Sequence, residues 1–274
     1  MRRLLFPAAL VLALAVTLAF LLLPVLAIFL RVPLGTLLDQ LGSGVAKDAL
    51  VVTLKTNAIA QALVLGIGTP AAYLVARYRF PGRALVVTLV ELPLVLPPAV
   101  AGIGLLAAFG RFGLLGGTLS ALGVSVGLTQ TAVVLAVAYV SSPFYLRQAI
   151  AAFGAVDGTL LDASRTLGAG PARTFARVAL PLARGGLAAG AALAFARGVG
   201  EFGATIMFAG SLQGVTQTLS LAIYSAFDLQ FEVALALSAL LVAVSLAILL
   251  AAKLLPSWDS NSTSPFPFAP SVSS

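Results

Sequence analysis

Asp157-Gly158-Thr159-Leu160-Leu161-Asp162-Ala163-Ser164-Arg165-Thr166-Leu167-Gly168-Ala169-Gly170-Pro171, running on to Val178-Ala179-Leu180-Pro181, decides the reading of this chain. Asp157 and Thr159 are residues that start helices, because their short side-chain oxygens satisfy the free N–H groups of a first turn. Asp162 follows Thr159 by three positions, a variant of the capping box, which prefers Glu or Gln there. Leu160, Leu161, Ser164 and Leu167 fall on one helical face; Asp162, Arg165 and Thr166 fall elsewhere. Gly168 then stops the helix as a C′ glycine does. Gly170-Pro171 opens a second helix with proline at its first position, and Leu180-Pro181 marks a break. The stretch reads as a short amphipathic helix, a glycine turn, a second helix and then a long apolar run. The surface of such a helix can rest on a membrane or dock a partner.

Outward from this stretch the chain is overwhelmingly apolar. Of 274 residues, 60% are hydrophobic and 9% charged, with a mean hydropathy of +1.09. A soluble domain is about 25% charged, so too little polar surface exists here to cover a globule in water. The composition excludes a soluble enzyme, a disordered chain and a nucleic-acid-binding domain, and leaves an all-α integral membrane protein. About six runs are long enough to span: Leu4–Leu30, Thr56–Ala76, Ala84–Gly110, Gly127–Leu146, Gly185–Gly210 and Val233–Ala252. They are far longer than the alternating segments of a β-barrel. Arg2 and Arg3 precede the first run, as in a signal peptide. The run is too long for one and lacks an A-x-A site followed by a polar start, so it reads as a retained span.

The cations fix an orientation. With a cytoplasmic N-terminus, eleven fall inside (Arg2, Arg3, Arg77, Arg79, Arg83, Arg147, Arg165, Arg173, Arg177, Arg184, Lys253) and four outside (Arg31, Lys47, Lys55, Arg111), while Arg197 stays within the membrane. That is a positive-inside bias, and it accounts for the +7 charge without nucleic acid. Six spans also place the C-terminus inside. Phe112–Ser125 is glycine-rich and reads as an outer loop or re-entrant stretch; Ser211–Leu229, with its polar residues, reads as an outer loop. Residues 1–255 form one transmembrane domain, and the Ser/Pro-rich residues 256–274 a disordered tail. The Asn261-Ser262-Thr263 sequon lies in that tail, on the side where it would not be modified.

The spacing of the opening stretch carries a resemblance. Asp162-Ala163-Ser164, three residues, Gly168, nine residues, Val178, one residue, Leu180-Pro181 resembles the EAA loop of ABC importer permeases. The departures are Asp for Glu, Ser for the second Ala and Val for Ile. The resemblance implies a type I ABC importer permease fold, with the loop before the penultimate span as the coupling helix. That helix fits a groove on a separate ATP-binding cassette subunit. Asp162, Ala163, Ser164, Gly168, Leu180 and Pro181 are then the coupling residues. It also implies two ATP-binding subunits, a second copy of this chain in the bilayer, an external or periplasmic substrate-binding protein, and a place in the cytoplasmic (inner) membrane.

A second likeness lies downstream. Ala194-Phe195-Ala196-Arg197-Gly198-Val199-Gly200-Glu201-Phe202-Gly203-Ala204-Thr205-Ile206-Met207-Phe208-Ala209-Gly210, followed by Thr216-Gln217-Thr218-Leu219-Ser220-Leu221-Ala222-Ile223-Tyr224, resembles the molybdate permease subgroup. Sulfate permeases share the Gly-Glu-Phe/Tyr-Gly core but diverge after it. The implied cargo is molybdate or tungstate. Sulfate or thiosulfate is the alternative, and an ATP-independent secondary transporter or channel a more distant one.

No covalent chemistry is expected. The chain has neither Cys nor His, which removes the usual thiolate, zinc and Ser–His–Asp residues, and no catalytic, cofactor or metal residues are assigned. Gly198-x-Gly200-x-x-Gly203 matches a dinucleotide fingerprint, but that motif needs a preceding strand; here it lies in an apolar helix, and the glycines read as helix contacts, as do Gly186 and Gly190. Charges within the membrane are expensive and so informative. Arg197 and Glu201, four apart, can pair. They brace the bundle or, in the sharper reading, Arg197 lends positive potential to an oxyanion; Glu201 weighs for the brace. Glu91, with Pro93, Pro97 and Pro98 after it, pairs with an arginine or marks a broken helix near a gate. Thr205 is a candidate for the pathway lining.

Overall fold

The computed structural model describes residues 2–254, and side chains for residues 6–251. The proposed tail and its sequon lie outside these. Among the described residues every regular element is helical: α1 (Arg2–Arg31), α2 (Leu34–Gly42), α3 (Gly44–Arg77), α4 (Arg83–Val95), α5 (Pro98–Phe109), α6 (Gly116–Ala121), α7 (Gln130–Ala155), α8 (Gly158–Thr166), α9 (Pro171–Thr174), α10 (Leu180–Val199), α11 (Gly203–Ala209), α12 (Leu219–Phe227) and α13 (Phe231–Leu254). Five helices are long and apolar enough to cross a membrane, and α4 with α5 makes a sixth, bent pair.

The centre is a three-helix unit in which α7 packs on both α3 and α10. Without a hydrophobic drive between helices in lipid, close packing must hold them, and small residues allow it. The expected Gly186 and Gly190 contacts are present. A Cβ on Gly186 would lie 2.5 Å from the Ala152 Cβ, and one on Gly190 2.9 Å from the Gln148 Cβ. Around this unit, α12 fits between α3 and α13, α11 lies on α5 and α7, and α1 touches the rest through α13. From Phe6 to Leu30 the side chains of α1 are mostly apolar and exposed, as suits a helix facing hydrocarbon.

Three expectations change. The Ala84–Gly110 span is not one rod: α4 and α5 meet at a bend of 114°. Leu96 is extended ahead of two prolines, Pro97 donates no hydrogen bond, and Pro98 starts the next helix. Conversely, Leu180-Pro181 is not a break. The helix runs continuously over Pro171–Val199 through a π-helical turn at Phe175–Ala179, where the Leu180 N–H bonds the Phe175 carbonyl five residues back. The widened turn relieves the clash between a proline ring and the carbonyl four residues earlier. The true break on this span comes at Gly200–Phe202, between α10 and α11. Finally, Ser211–Leu229 is no simple polar loop: it contains α12, whose Leu219 and Leu221 are fully buried, and it turns Thr216 and Thr218 inward. The Thr53 hydroxyl accepts the Leu219 N–H at 2.8 Å, which satisfies a free donor at the start of α12.

Candidate functional site: a glycine-closed loop helix and a crossing of two broken helices

The residues singled out in the sequence form two groups, at either end of the Pro171–Val199 helix. At its start lies α8. Asp157 caps α8 by accepting the Thr159 N–H at 2.9 Å. This bond, more than the charge of Arg77, holds the Asp157 carboxyl below its ordinary range. The capping box from Thr159 to Asp162 does not form, because Asp157 supplies the cap. Asp162 instead pairs with Arg165 at 3.2 Å, and its carbonyl accepts the Thr166 hydroxyl at 3.0 Å. The helix ends as the glycine foretold. Gly168 has φ +84°, its N–H bonds the Arg165 carbonyl and the Ala169 N–H bonds the Ser164 carbonyl, the paired closure of a Schellman motif.

The expected apolar face is split. Leu161 is 4% exposed and packs inward, and the Ser164 hydroxyl lies 3.2 Å from that of Thr174. Leu160 and Leu167 remain 48% and 88% exposed, so two large apolar side chains stand out from an otherwise polar surface. Behind α8, the Tyr73, Phe153 and Phe175 rings stack within about 6 Å, joining the ends of α3 and α7 to the π turn. Arg77 donates to the Val156 carbonyl. The two basic loops that the charge pattern assigned to one side therefore meet at one end of the bundle.

At the far end of the long helix, two broken spans cross at their breaks. A Cβ on Gly203 would lie 2.8 Å from the Pro98 Cβ, and one on Gly102 2.6 Å from the Ala204 carbonyl oxygen. Backbone thus touches backbone where both helices are interrupted. Irregular backbone at membrane depth needs internal partners, and Glu201 is one. It is 1% exposed; one oxygen accepts the Ala204 N–H at 2.7 Å and the other lies 2.8 Å from the Arg197 guanidinium. The anticipated pair forms, and the same carboxylate also caps α11, which no spacing revealed. Gly200 meets nothing and sits in the break, so the three-glycine motif straddles two helices rather than lying within one.

Glu91 pairs with Arg147 of α7 at 3.1 Å and lies on the helix that ends at the Leu96–Pro97 break. Thr205 is fully buried and its hydroxyl has no partner. A cavity of about 1120 Å³ opens beside the crossing between α5, α11 and residues 110–128. Ile206 and Met207 line it, Thr205 does not, and Arg111 is its only charged lining residue.

Three buried polar residues carried no signal in the motif reading: Asn57, Gln61 and Ser141, all where α3, α7 and α10 meet. Asn57 Nδ2 donates to the Phe195 carbonyl at 3.0 Å, and Gln61 Nε2 to the Ser141 hydroxyl at 3.1 Å. An available signal was the cost of amides inside charge-free apolar runs.

Comparison with known proteins fits this architecture. Residues 68–257 match the family described as "Binding-protein-dependent transport system inner membrane component". The "Molybdenum transport system permease protein ModB" of Mycobacterium tuberculosis (strain ATCC 25618 / H37Rv) is 42% identical over 233 residues, covering 84% of this chain and 88% of that protein. The "Sulfate transport system permease protein CysW" of Synechococcus elongatus is 34% identical over 209 residues, covering 76% and 73%. A chain from the crystal structure of a bacterial alginate ABC transporter, solved with an alginate pentasaccharide-bound periplasmic protein, superposes with a TM-score of 0.74 at 18% identity, covering 92% of this chain and 93% of that one. The fold is that of type I ABC importer permeases. With the family match running from the end of α3 across the α8 loop and the crossing, this chain belongs to the inner-membrane components of binding-protein-dependent transport systems.

Proposed function

We propose that this chain is the membrane-spanning permease of an ATP-driven importer of a tetrahedral oxyanion, molybdate or tungstate, working by alternating access. The observation that carries the cargo is the 42% identity to a molybdenum permease across 88% of that protein's length. The sulfate relative is more distant, at 34%. Two copies of the chain form the pathway, because each has one coupling loop and each loop takes one ATP-binding subunit. A loaded external binding protein docks on the outer side. ATP closes the partner subunits, the coupling helices move with them, the pathway opens outward and the anion enters; hydrolysis resets the inward-facing state. Both termini lie in the cytoplasm, and residues 1–255 form the permease domain.

Asp162, Ala163, Ser164, Gly168, Leu180 and Pro181 act in coupling. Small Ala163 and Ser164 allow close approach, while exposed Leu160 and Leu167 offer apolar contacts for a groove on the ATP-binding subunit. Arg197 braces the break through Glu201. A pair neutralised in this way does not hold the anion tightly, which suits a pathway that must release its cargo. Selectivity then rests with the binding protein.

The test is ligand binding by the cognate external protein, together with uptake by the reconstituted transporter. Binding of molybdate and tungstate in preference to sulfate, with ATP-dependent molybdate uptake, is expected. Preference for sulfate would replace the cargo. Uptake that persists without any ATP-binding subunit would replace the importer reading with a secondary transporter or channel.

A further inference from the structure

We infer that Asn57 is a positioning residue: wedged against Gly198, it fixes where the long helix ends, so that movement begun at the coupling loop reaches the crossing without slack. The inference rests on the importer reading above for its functional meaning, but its geometry stands apart from the cargo.

Asn57 sits on α3, is 1% exposed and meets a segment 138 residues away. A carbonyl can only accept, so the Nδ2 must be the atom on the Phe195 carbonyl, and Oδ1 is thereby turned onto Gly198. The fit leaves no room. A Cβ at position 198 would lie 2.2 Å from the Asn57 Oδ1 and 2.9 Å from the Val137 Cγ1. Gln61 stands behind, with its Nε2 3.5 Å from the same Oδ1 and 3.1 Å from the Ser141 hydroxyl of α7. One amide therefore reaches the last turn of α10 from α3, and the amide next to it ties α3 to α7.

The position of this contact gives it consequence. Gly198 lies one residue after Arg197 and three before Glu201, and the Gly198 carbonyl accepts the Glu201 N–H at 3.1 Å. Glu201 in turn caps α11, whose Gly203 touches Pro98 at the other break. The helix carrying Gly198 begins at Pro171, beside the coupling loop. A rod transmits a displacement only if its far end is held in register with what it pushes, and coupling runs through packed elements with discrete arrangements. Asn57 supplies that hold. A side chain serving bundle stability alone would not need to sit at this junction.

Three measurements test it. Because the chain has no cysteine, spin labels on Leu182→Cys and Met207→Cys report the distance across the break in the purified permease, with no substrate present. A narrow distribution that broadens on adding Asn57→Ala is expected; an unchanged one overturns the proposal whatever the cargo is. Gly198→Ala should lower the melting midpoint, and Asn57→Ala/Gly198→Ala should recover part of the loss; equal damage in both backgrounds overturns the wedge. In liposomes holding the full transporter, with molybdate as probe, Asn57→Ala should raise the ATP hydrolysed per ion imported by about threefold or more, and Asn57→Leu, which keeps bulk but cannot donate, should do the same. A lower melting point with an unchanged ratio would make Asn57 merely structural and overturn the inference. If the unmutated transporter moves no molybdate, the cargo reading fails, and the spin-label distances still decide this one.

Discussion

The α8 loop and the crossing both depend on glycine, for opposite reasons. At Gly168 nothing lies within 4 Å of an added Cβ; the requirement is the φ of +84°. At Gly102 and Gly203 the backbone takes no positive φ, but neighbouring atoms lie within 3 Å of an added Cβ. One region needs a backbone shape and the other needs space. A shape is written in a few consecutive residues. Space is set by segments far away in the chain, and it shows only once the helices have been packed.

Substitutions can break this contrast, and the largest effect should come from Glu201→Ala. It would leave Arg197 without its partner and α11 without its cap, costing about 3 kcal/mol or more; replacing both residues with apolar ones should cost less than Glu201→Ala alone. Thermal melting of the purified permease measures both, and a double variant as damaged as the single one would deny the pair its bracing role. Gly102→Ala comes next, at about 1–3 kcal/mol of overpacking against unyielding backbone, read by the same melting curve. Gly102→Asn should be no better, since tolerance of positive φ gives nothing there. Gly168→Val should leave insertion intact and abolish ATP-driven uptake, from a local strain of about 1–2 kcal/mol. Gly168→Asn should recover much of the uptake, and equal failure of the two variants would mean that the loop needs space after all.

The smallest effect concerns Asp157. Its carboxyl is held below the usual range by the Thr159 N–H, and the folded group binds protons less readily than the unfolded one. Its cap is therefore fully present above the ordinary aspartate value of about 3.9 and is lost as pH falls through the lower folded value. Hydrogen exchange at the first turn of α8 should quicken over that acid range. Asp157→Asn should keep the cap and remove the pH dependence, and Asp157→Ala should lose protection at every pH.

The same contrast explains what could be read early. Long apolar runs announced the spans, and the Asp157-to-Pro171 stretch gave its helix, its glycine stop and its restart, because those are local rules. The Arg197–Glu201 pair followed from spacing alone. The loop's apolar face was only half right, since Leu161 found a core and Leu160 and Leu167 did not. Leu180-Pro181 misled because a π turn let the helix pass a proline. The second duty of Glu201, the meeting of Gly102 with Ala204 and the wedge of Asn57 all join residues distant in sequence, and no periodicity encodes them.

The π turn carries one further consequence. It inserts an extra residue into a helix that otherwise advances about 100° per residue, and so offsets the phase of everything after it from everything before. Phe175 faces the aromatic ring stack on one side of that offset, and Gly186 and Gly190 face α7 on the other. Removing one residue from Phe175–Ala179 would restore a regular α-helix and rotate one seam away from its mate by about a quarter turn. The turn thus acts as a fixed angular spacer that sets the ring stack at one end of the rod in phase with the glycine seam farther along it.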